Sequence, residues 1–460
     1  MAVLAALLLL FAAPLMRGGN RQVALIALEA IALTFMLSLW LRMVFASASL
    51  PIERPHIPLK TVLIVFVLSS PAWLAIVYLV PVPTDFWFAA AGRDIYRQLL
   101  GDVGITPREW QPLSLVPDAT WASLMAGLPL VAGFLAGYLA RLSQIKLLLG
   151  FVVAMAFAQI LLGLMQIGGG AQSALHVGMY TDRPIGSFAN PNHFANYLAM
   201  ALAAYVWLGW DSILGPRRRR IDNPAAKLAS RHAMPLWLAG GVVLVLGILL
   251  SRSRGAALTG LPAAMLALGL ALSFRNHHSS WRFSLLVVAG MLIGAISMMG
   301  MGTVLSRFDL GELSSSAIDR ALLASSTFEG ANAFWPWGAG WGTYAAVYPR
   351  FQPLVIQGIA DYAHHDYAQM LFEGGVFSVL LLVTCLWLTG SRAVVLVRSA
   401  LQYRKLSHDD MASALCGMGL LGLLLHSLVE FNMHILANAI LGALLAGVYL
   451  RSASLENAQR

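Results

Sequence analysis

The sequence predicts an all-α polytopic membrane protein, and two observations carry that prediction. Of its 460 residues, 59% are hydrophobic and 11% charged, whereas a soluble domain carries roughly 25% charged residues. The apolar residues also fall in runs of about 20, the length that crosses a hydrocarbon core. About twelve such runs are expected, near 2–16, 22–46, 61–80, 120–140, 147–167, 192–212, 235–250, 255–273, 283–303, 367–390, 410–428 and 435–450. The first, seventh and last are short enough to tilt, pair or re-enter. Residues 1–16 lack the basic start and small-residue cleavage site of a signal peptide and read as a retained first span. Both cysteines, Cys385 and Cys416, sit inside apolar runs, so no disulfide framework or Cys metal site is implied.

A net charge of +9 would suggest nucleic acid in a soluble chain. Here the positive-inside rule absorbs most of it. The segment between the sixth and seventh runs carries Arg217, Arg218, Arg219, Arg220, Lys227 and Arg231, which places it in the cytoplasm. Alternation then puts Lys60, Lys146, Lys227 and Lys405 on the same side, with Arg392, Arg398 and Arg404 beside the last and both termini cytoplasmic. Arg17 and Arg21, between the first two runs, are the main violation of the rule.

Two long external segments follow from this topology, 81–119 and 304–365. The first contains DFWFAAAGRDIYRQLLG, whose Phe86, Ile95 and Leu99 can face lipid while Arg93, Asp94 and Arg97 face water, so it is expected to lie along the membrane surface. The second opens on a serine-rich run and continues through FWPWGAGWGTYAAVYPRFQP, where aromatics beside Gly and Pro make rigid, partly apolar walls. The expected organisation is N-terminal helices over 1–180, a membrane core over 181–450 and a cytoplasmic tail over 451–460.

The second segment ends in DYAHHDYAQMLFEGG, Asp361 to Gly375, around which the chemistry concentrates. A histidine that titrates near neutral pH suits general-base work at a membrane-facing cleft, which singles out His364 and His365. A histidine that only caps the following helix is an equal alternative. Ligation of a metal by His364, His365 and Asp366 is disfavoured, because adjacent residues converge poorly on one ion. Arg183, in TDRPIGSF, and Arg252 and Arg254, in SRSRG, fit an anion such as a diphosphate, because a guanidinium matches phosphate in a bidentate way. Pairing with Asp182 or with lipid headgroups is the plainer role. Arg350, in YPRFQP, is a weaker candidate. In FANPNHFAN, Asn190, Asn192 and His193 mark a Pro-fixed helix start at which Asn caps the first turn and shapes the site. His426, Glu430 and His434 recur every four residues, a pattern that favours structural hydrogen bonding on one helical face over a metal stripe. The GAGWG run at 338–342 lacks the Lys-Ser/Thr of a nucleotide loop.

These motifs, in this order, resemble the O-antigen ligase and polymerase superfamily of bacterial envelope enzymes. They are R-x-x-G-S-F-x-N-P-N from Arg183 to Asn192, S-R-S-R-G from Ser251 to Gly255, the long external loop with GAGWGTY and YPRFQ, A-H-H-D-Y-A-Q-M-L-F-E-G-G, and a late F-N-M-H-I-L-A-N-A. The resemblance covers roughly 180 to 445. It implies a GT-C-like, metal-independent, inverting glycosyltransferase of the bacterial inner membrane, with its site facing the periplasm. Its donor would be an undecaprenyl-diphosphate-linked glycan and its acceptor a hydroxyl of lipid A-core or of a growing polysaccharide, with no nucleotide, nucleic acid or other cofactor. By motif, His364 is the base or acceptor-orienting residue and Arg183 and Arg254 are the diphosphate binders, with Arg350 a further candidate and His365, Asn190, Asn192 and Arg252 in support. One departure is that the position after the key histidine is often Asn in the family and is His365 here.

A ligase is favoured slightly over a polymerase, and over an oligosaccharyltransferase that modifies protein, since all three share the donor chemistry. From another class, a polytopic transporter of lipid-linked glycan fits the span number and basic central loop. Transporter halves, however, usually show internal symmetry, and the spans here are unevenly spaced.

Overall fold

In lipid a backbone must satisfy its own hydrogen bonds, so the apolar runs are constrained to be helical. The computed structural model describes residues 1–19, 21–46, 58–176, 180–214, 224–274, 310–403 and 406–451. Over them the chain forms α1 (Ala2–Ala12), α2 (Gln22–Ala46), α3 (Leu59–Leu68) and α4 (Ser70–Leu79), the last two bent by 53° where Ser69, Ser70 and Pro71 interrupt the apolar run. Next come α5 (Thr84–Ala89), α6 (Asp94–Asp102), α7 (Pro117–Met125), α8 (Gly127–Leu139), α9 (Leu142–Gly168) and α10 (Pro191–Gly209). The remainder is α11 (Pro224–Leu250), α12 (Arg254–Ser273), α13 (Leu310–Ala333), α14 (Tyr344–Val347), α15 (Asp366–Tyr403), α16 (His408–His426) and α17 (Leu436–Leu450).

Six helices among the described residues are long and apolar enough to cross a membrane, and the bent α3–α4 pair adds a seventh if counted as one span. The expected 283–303 span and the Arg217–Arg220 cluster lie outside the described residues. α10 and α16 coincide with expected spans yet are not among the six. α10 is buried along nearly its whole length, with α9, α11, α12 and α16 packed against it. A helix wrapped by protein has no need to be apolar toward lipid, so it can carry His193 and Asn196 in the core.

The closest helix packing is between α8 and α17. A side chain at Gly137 would start 2.3 Å from the Leu444 carbonyl, and one at Gly447 would start 2.1 Å from the Phe134 carbonyl. Only hydrogen lets the two backbones approach this closely.

Polar contacts sort the helix ends into two sets. At one end Lys60 donates to the Leu450 carbonyl. Arg392 there bonds the Tyr449 carbonyl and Asp410, and Asp211 pairs with Lys146 and His408. At the other end lie the 14–19 turn, the 183–192 turn, the start of α15 and the 427–435 turn. The expected grouping of Lys60, Lys146 and Arg392 is present in this sorting.

Outside the helix bundle at that second end sits an external layer, so called for its place beyond the helix ends, with its own core. Tyr344 and Tyr348 stack at 4.6 Å, and their hydroxyls bond Thr327 at 2.8 Å and Ser326 at 2.7 Å on α13. Phe334 and Phe372 pack edge to face beside them. Pro81–Pro83 and Trp110–Pro112 form a short antiparallel ribbon, a small strand element that the all-helical expectation lacks. Arg93, expected to face water, is instead fully buried, where its Nη2 donates to the carbonyls of Leu113 (2.7 Å) and Gly338 (3.1 Å). The carbonyls exposed by two irregular loops draw the guanidinium inward, so one side chain joins both external segments. Asp94 and Arg97 remain exposed as expected.

Arg93→Leu should strand two buried carbonyls at about 1–3 kcal/mol each. A thermal midpoint lowered by several degrees in detergent, with faster proteolysis within 80–120, is the expected outcome; an unchanged midpoint would show that water replaces the guanidinium.

Candidate functional site

α16 ends at His426, and the chain then turns through 427–435 before α17 begins. His426, Glu430 and His434 are therefore not on one continuous helix; each turns to a different partner. Glu430 is the centre of the cluster. Its side chain is 0% exposed, and it collects donors from three distant segments: Asn192 Nδ2 at 2.5 Å, Arg320 Nη2 at 3.0 Å and His364 Nδ1 at 2.7 Å. Burial alone would raise this carboxyl. The hydrogen bond from His364, with the charge of Arg320, outweighs burial and holds it well below the usual carboxylate range.

His364 adopts a left-handed backbone, φ 50°, which costs an L residue about 1–2 kcal/mol. That conformation turns the ring back onto Glu430 and edge-on to Phe431, at 4.8 Å. Its side chain remains 31% exposed, in contrast to its partner. His365 takes a different direction. Its Nδ1 accepts the Ala368 N–H at 3.2 Å, its carbonyl accepts the Gln369 N–H, and its ring meets Phe328 and Tyr367. Burial lowers its pKa, in keeping with an imidazole that accepts at one nitrogen. The capping alternative thus falls on His365, while its neighbour His364 turns to Glu430. Asp366, 0% exposed, accepts from Met433 N–H at 3.0 Å and His434 Nδ1 at 2.7 Å, which clips the start of α15 to the 427–435 turn.

The turn from Arg183 to Asn192 rests on two glutamines of α9 that the sequence reading did not single out. Gln159 accepts the Ser187 N–H at 2.8 Å, and Gln166 bonds Ile185 and Gly186. Buried amides at i and i+7 of an apolar helix are the signal that could have found them. Asn190 caps α10 by accepting the Asn192 N–H at 2.8 Å, which leaves the Asn192 amide for Glu430. His193 bonds Asn432 through Nδ1 at 3.0 Å. Arg183 grips its neighbour Asp182 in a bidentate pair, at 2.9 and 3.0 Å, and Arg252 reaches the same carboxylate at 3.1 Å. The guanidinium contacts hold the Asp182 carboxyl below its ordinary value. Two of the arginine-bearing turns are thereby brought together. Arg254 opens α12 behind the Ser253 cap, and a side chain at the adjacent Gly255 would start 2.3 Å from His426 Nε2, so that turn presses directly on α16.

Arg350 lies in the external layer, where it donates to the Gly92 carbonyl at 2.9 Å and covers Phe334 and Phe351. The GAGWG loop is pinned by buried Glu373, which accepts the Gly342 and Tyr344 N–H groups at 2.9 and 3.1 Å. Its backbone donors therefore serve a carboxylate of the chain itself. α15 breaks at Gly375 (φ 50°), where a side chain would start 2.1 Å from the Pro336 carbonyl, so the loop can seat against the helix.

A family model described as O-antigen ligase matches residues 239–383. The match supports the superfamily to which the motifs point. It takes in Arg252, Arg254, Arg320, Arg350, His364 and His365, and leaves Arg183, Asn192 and Glu430 outside. No curated protein matches the chain.

For His434, burial alone would lower the pKa, but the bond and charge of Asp366, with the charge of Glu373, raise it above its ordinary value. The stability this pair adds is full below the unfolded value near 6.5 and is lost as pH rises through the raised one. A charge-assisted bond contributes about 1.5–3 kcal/mol. The thermal midpoint should therefore fall by several degrees across that window in wild type and lose this slope in Asp366→Asn. Equal slopes would remove the pair from the account.

Proposed function

We propose that the chain is a glycosyltransferase that moves a glycan from undecaprenyl diphosphate to an acceptor hydroxyl at the periplasmic face of the bacterial inner membrane, with lipid A-core as acceptor. The observation that carries this reading is the partly exposed His364 ring held through Nδ1 on buried, ionised Glu430. With Nδ1–H donated to the carboxylate, the second nitrogen is the acceptor, as a general base requires. The hydroxyl oxygen of the acceptor attacks the anomeric carbon and its proton passes to His364 Nε2. The bond from that carbon to the phosphate oxygen breaks, and the diphosphate leaves with the electron pair. Attack opposite the leaving group inverts the anomeric centre.

Glu430 stabilises the imidazolium that results, while Arg320 and Asn192 keep the carboxylate fixed. Arg183, Arg252 and Arg254 meet the developing diphosphate charge, a task for which guanidinium forks suffice without a metal. The Asp182 that Arg183 and Arg252 share is half exposed, and a surface pair of this kind contributes only about 0–1 kcal/mol. An incoming diphosphate therefore displaces it at little cost. His365 acts as the helix cap beside the base and Asn190 as the cap that frees Asn192. Arg350 stands further out, where it meets the diphosphate only if the Gly92 contact opens.

Purified protein given an undecaprenyl-diphosphate glycan should yield product on a gel only when lipid A-core is added, and His364→Ala should slow transfer by roughly 10²–10⁴-fold while remaining folded. A ladder without lipid A-core would make the chain a polymerase. Normal turnover by His364→Ala would remove the central assignment, and uptake of the lipid-linked glycan with no new glycosidic bond would make it a transporter.

A further inference from the structure

A cavity of about 580 Å³ opens beside Gly19 and the start of α2, lined by Arg21, Gln22, Leu25, Ala126, His434 and Leu436 among others. Its chemistry is divided, with a guanidinium, an amide and an imidazole on one part of the wall and aliphatic side chains on the rest. Among the described residues the Arg21 guanidinium forms no hydrogen bond or ion pair. His434 has Nδ1 committed to Asp366 and lines the cavity with the ring still 26% exposed.

The 14–19 turn that precedes Arg21 is firmly held. Met16 and Arg17 both take positive φ, at 54° and 64°, and Arg17 bridges Phe188 in parallel fashion. Ser187 Oγ donates to the Pro14 carbonyl. A side chain at Gly18 would start 2.7 Å from the Phe188 ring. Two consecutive non-glycine residues in this region store strain of about 1–3 kcal/mol each, which persists where the surroundings over-determine it. These contacts put Arg17 and Arg21 at the His364 end of the molecule, opposite Lys60, Lys146 and Arg392. They are the main departure from the positive-inside pattern, and a cation kept on the disfavoured side calls for an anion there.

We propose that this cavity is a second anion site, distinct from the Arg183 and Arg252 turns, that holds a phosphate-bearing lipid with its phosphate on Arg21 and His434 and its hydrocarbon against Leu25, Ala126 and Leu436. Tyr362 lies between it and the cleft, stacked on Phe431 at 4.3 Å and 5.4 Å from His434, while His364 meets Phe431 edge-on. One aromatic layer thus separates the lipid phosphate from the His364 ring. The shared chemistry admits two sources, a bilayer phospholipid or a prenyl diphosphate, and the inference stands whether or not His364 performs glycan transfer.

The test is equilibrium binding to purified full-length protein in neutral detergent, with radiolabelled phosphatidylglycerol and farnesyl diphosphate as probes and diacylglycerol and farnesol as their phosphate-free counterparts. Arg21→Gln and the cavity-filling Ala126→Phe should each weaken at least one phosphate probe about tenfold, near 1.4 kcal/mol, whereas Arg21→Lys should retain most of the binding. Arg21 dependence of phosphatidylglycerol alone assigns the site to a phospholipid headgroup; dependence of farnesyl diphosphate alone assigns it to the prenyl carrier. Arg21 lies at the surface, so its variants test the site even if Ala126→Phe fails to fold. Unchanged binding in Arg21→Gln, or equal binding of the phosphate-free lipids, would overturn the proposal. His364→Ala should bind phosphatidylglycerol as wild type; loss there would place that probe in the His364 cleft and likewise overturn the second site.

Discussion

A carboxylate taken out of water must be neutralised where it lies, and the Glu430 side chain, with no exposed surface, meets this demand by recruiting donors from α10, α13 and the bend before α15. These segments are separated by 110 and 238 residues from Glu430 in the case of Arg320 and Asn192, and by 66 in the case of His364. No local propensity would bring them together. The buried charge supplies the reason, because removing any one donor leaves the carboxylate less satisfied than before. It also engages His364 through Nδ1, which leaves Nε2 outside the pair.

The remaining structure reads as support for that contact. Asp366 ties α15 to the same turn that carries Glu430, while Gln159 and Gln166 hold the arginine-bearing turn against α9. Glu373 and Arg93 perform a corresponding task in the external layer, the first by gathering backbone N–H groups and the second by gathering carbonyls. Irregular backbone is tolerated near membrane depth only where such partners exist. This is why a long external segment rich in Gly and aromatics can sit over the helices as an ordered layer.

Much of this was legible in the residues. Apolar run length marked the helices, and the motif order marked the family. The Pro-fixed start of α10 was visible in Asn190-Pro191, though the capping role falls on Asn190 and Asn192 reaches the carboxylate instead. Residues whose role depends on distant partners were less visible. The spacing of His426, Glu430 and His434 suggested a helical face, but the helix ends at His426, and only the fold shows Glu430 meeting Arg320. Arg93 read as solvent-facing because a sequence pattern registers local periodicity and not the carbonyls of Leu113 and Gly338 that arrive from elsewhere. His364 and His365 are chemically identical in sequence; a single positive φ separates them.

The central claim is that Glu430 acts on the reaction through His364. The most direct measurement is a double-mutant cycle on glycan transfer, with His364→Ala, Glu430→Gln and the double variant compared with wild type at matched folded concentrations. Residues that act as a unit give strongly non-additive losses. The account predicts that the double variant is no slower than His364→Ala alone. Losses that multiply would mean that Glu430 contributes to structure or to binding by a separate route, and that the ring is not positioned by the carboxylate it touches.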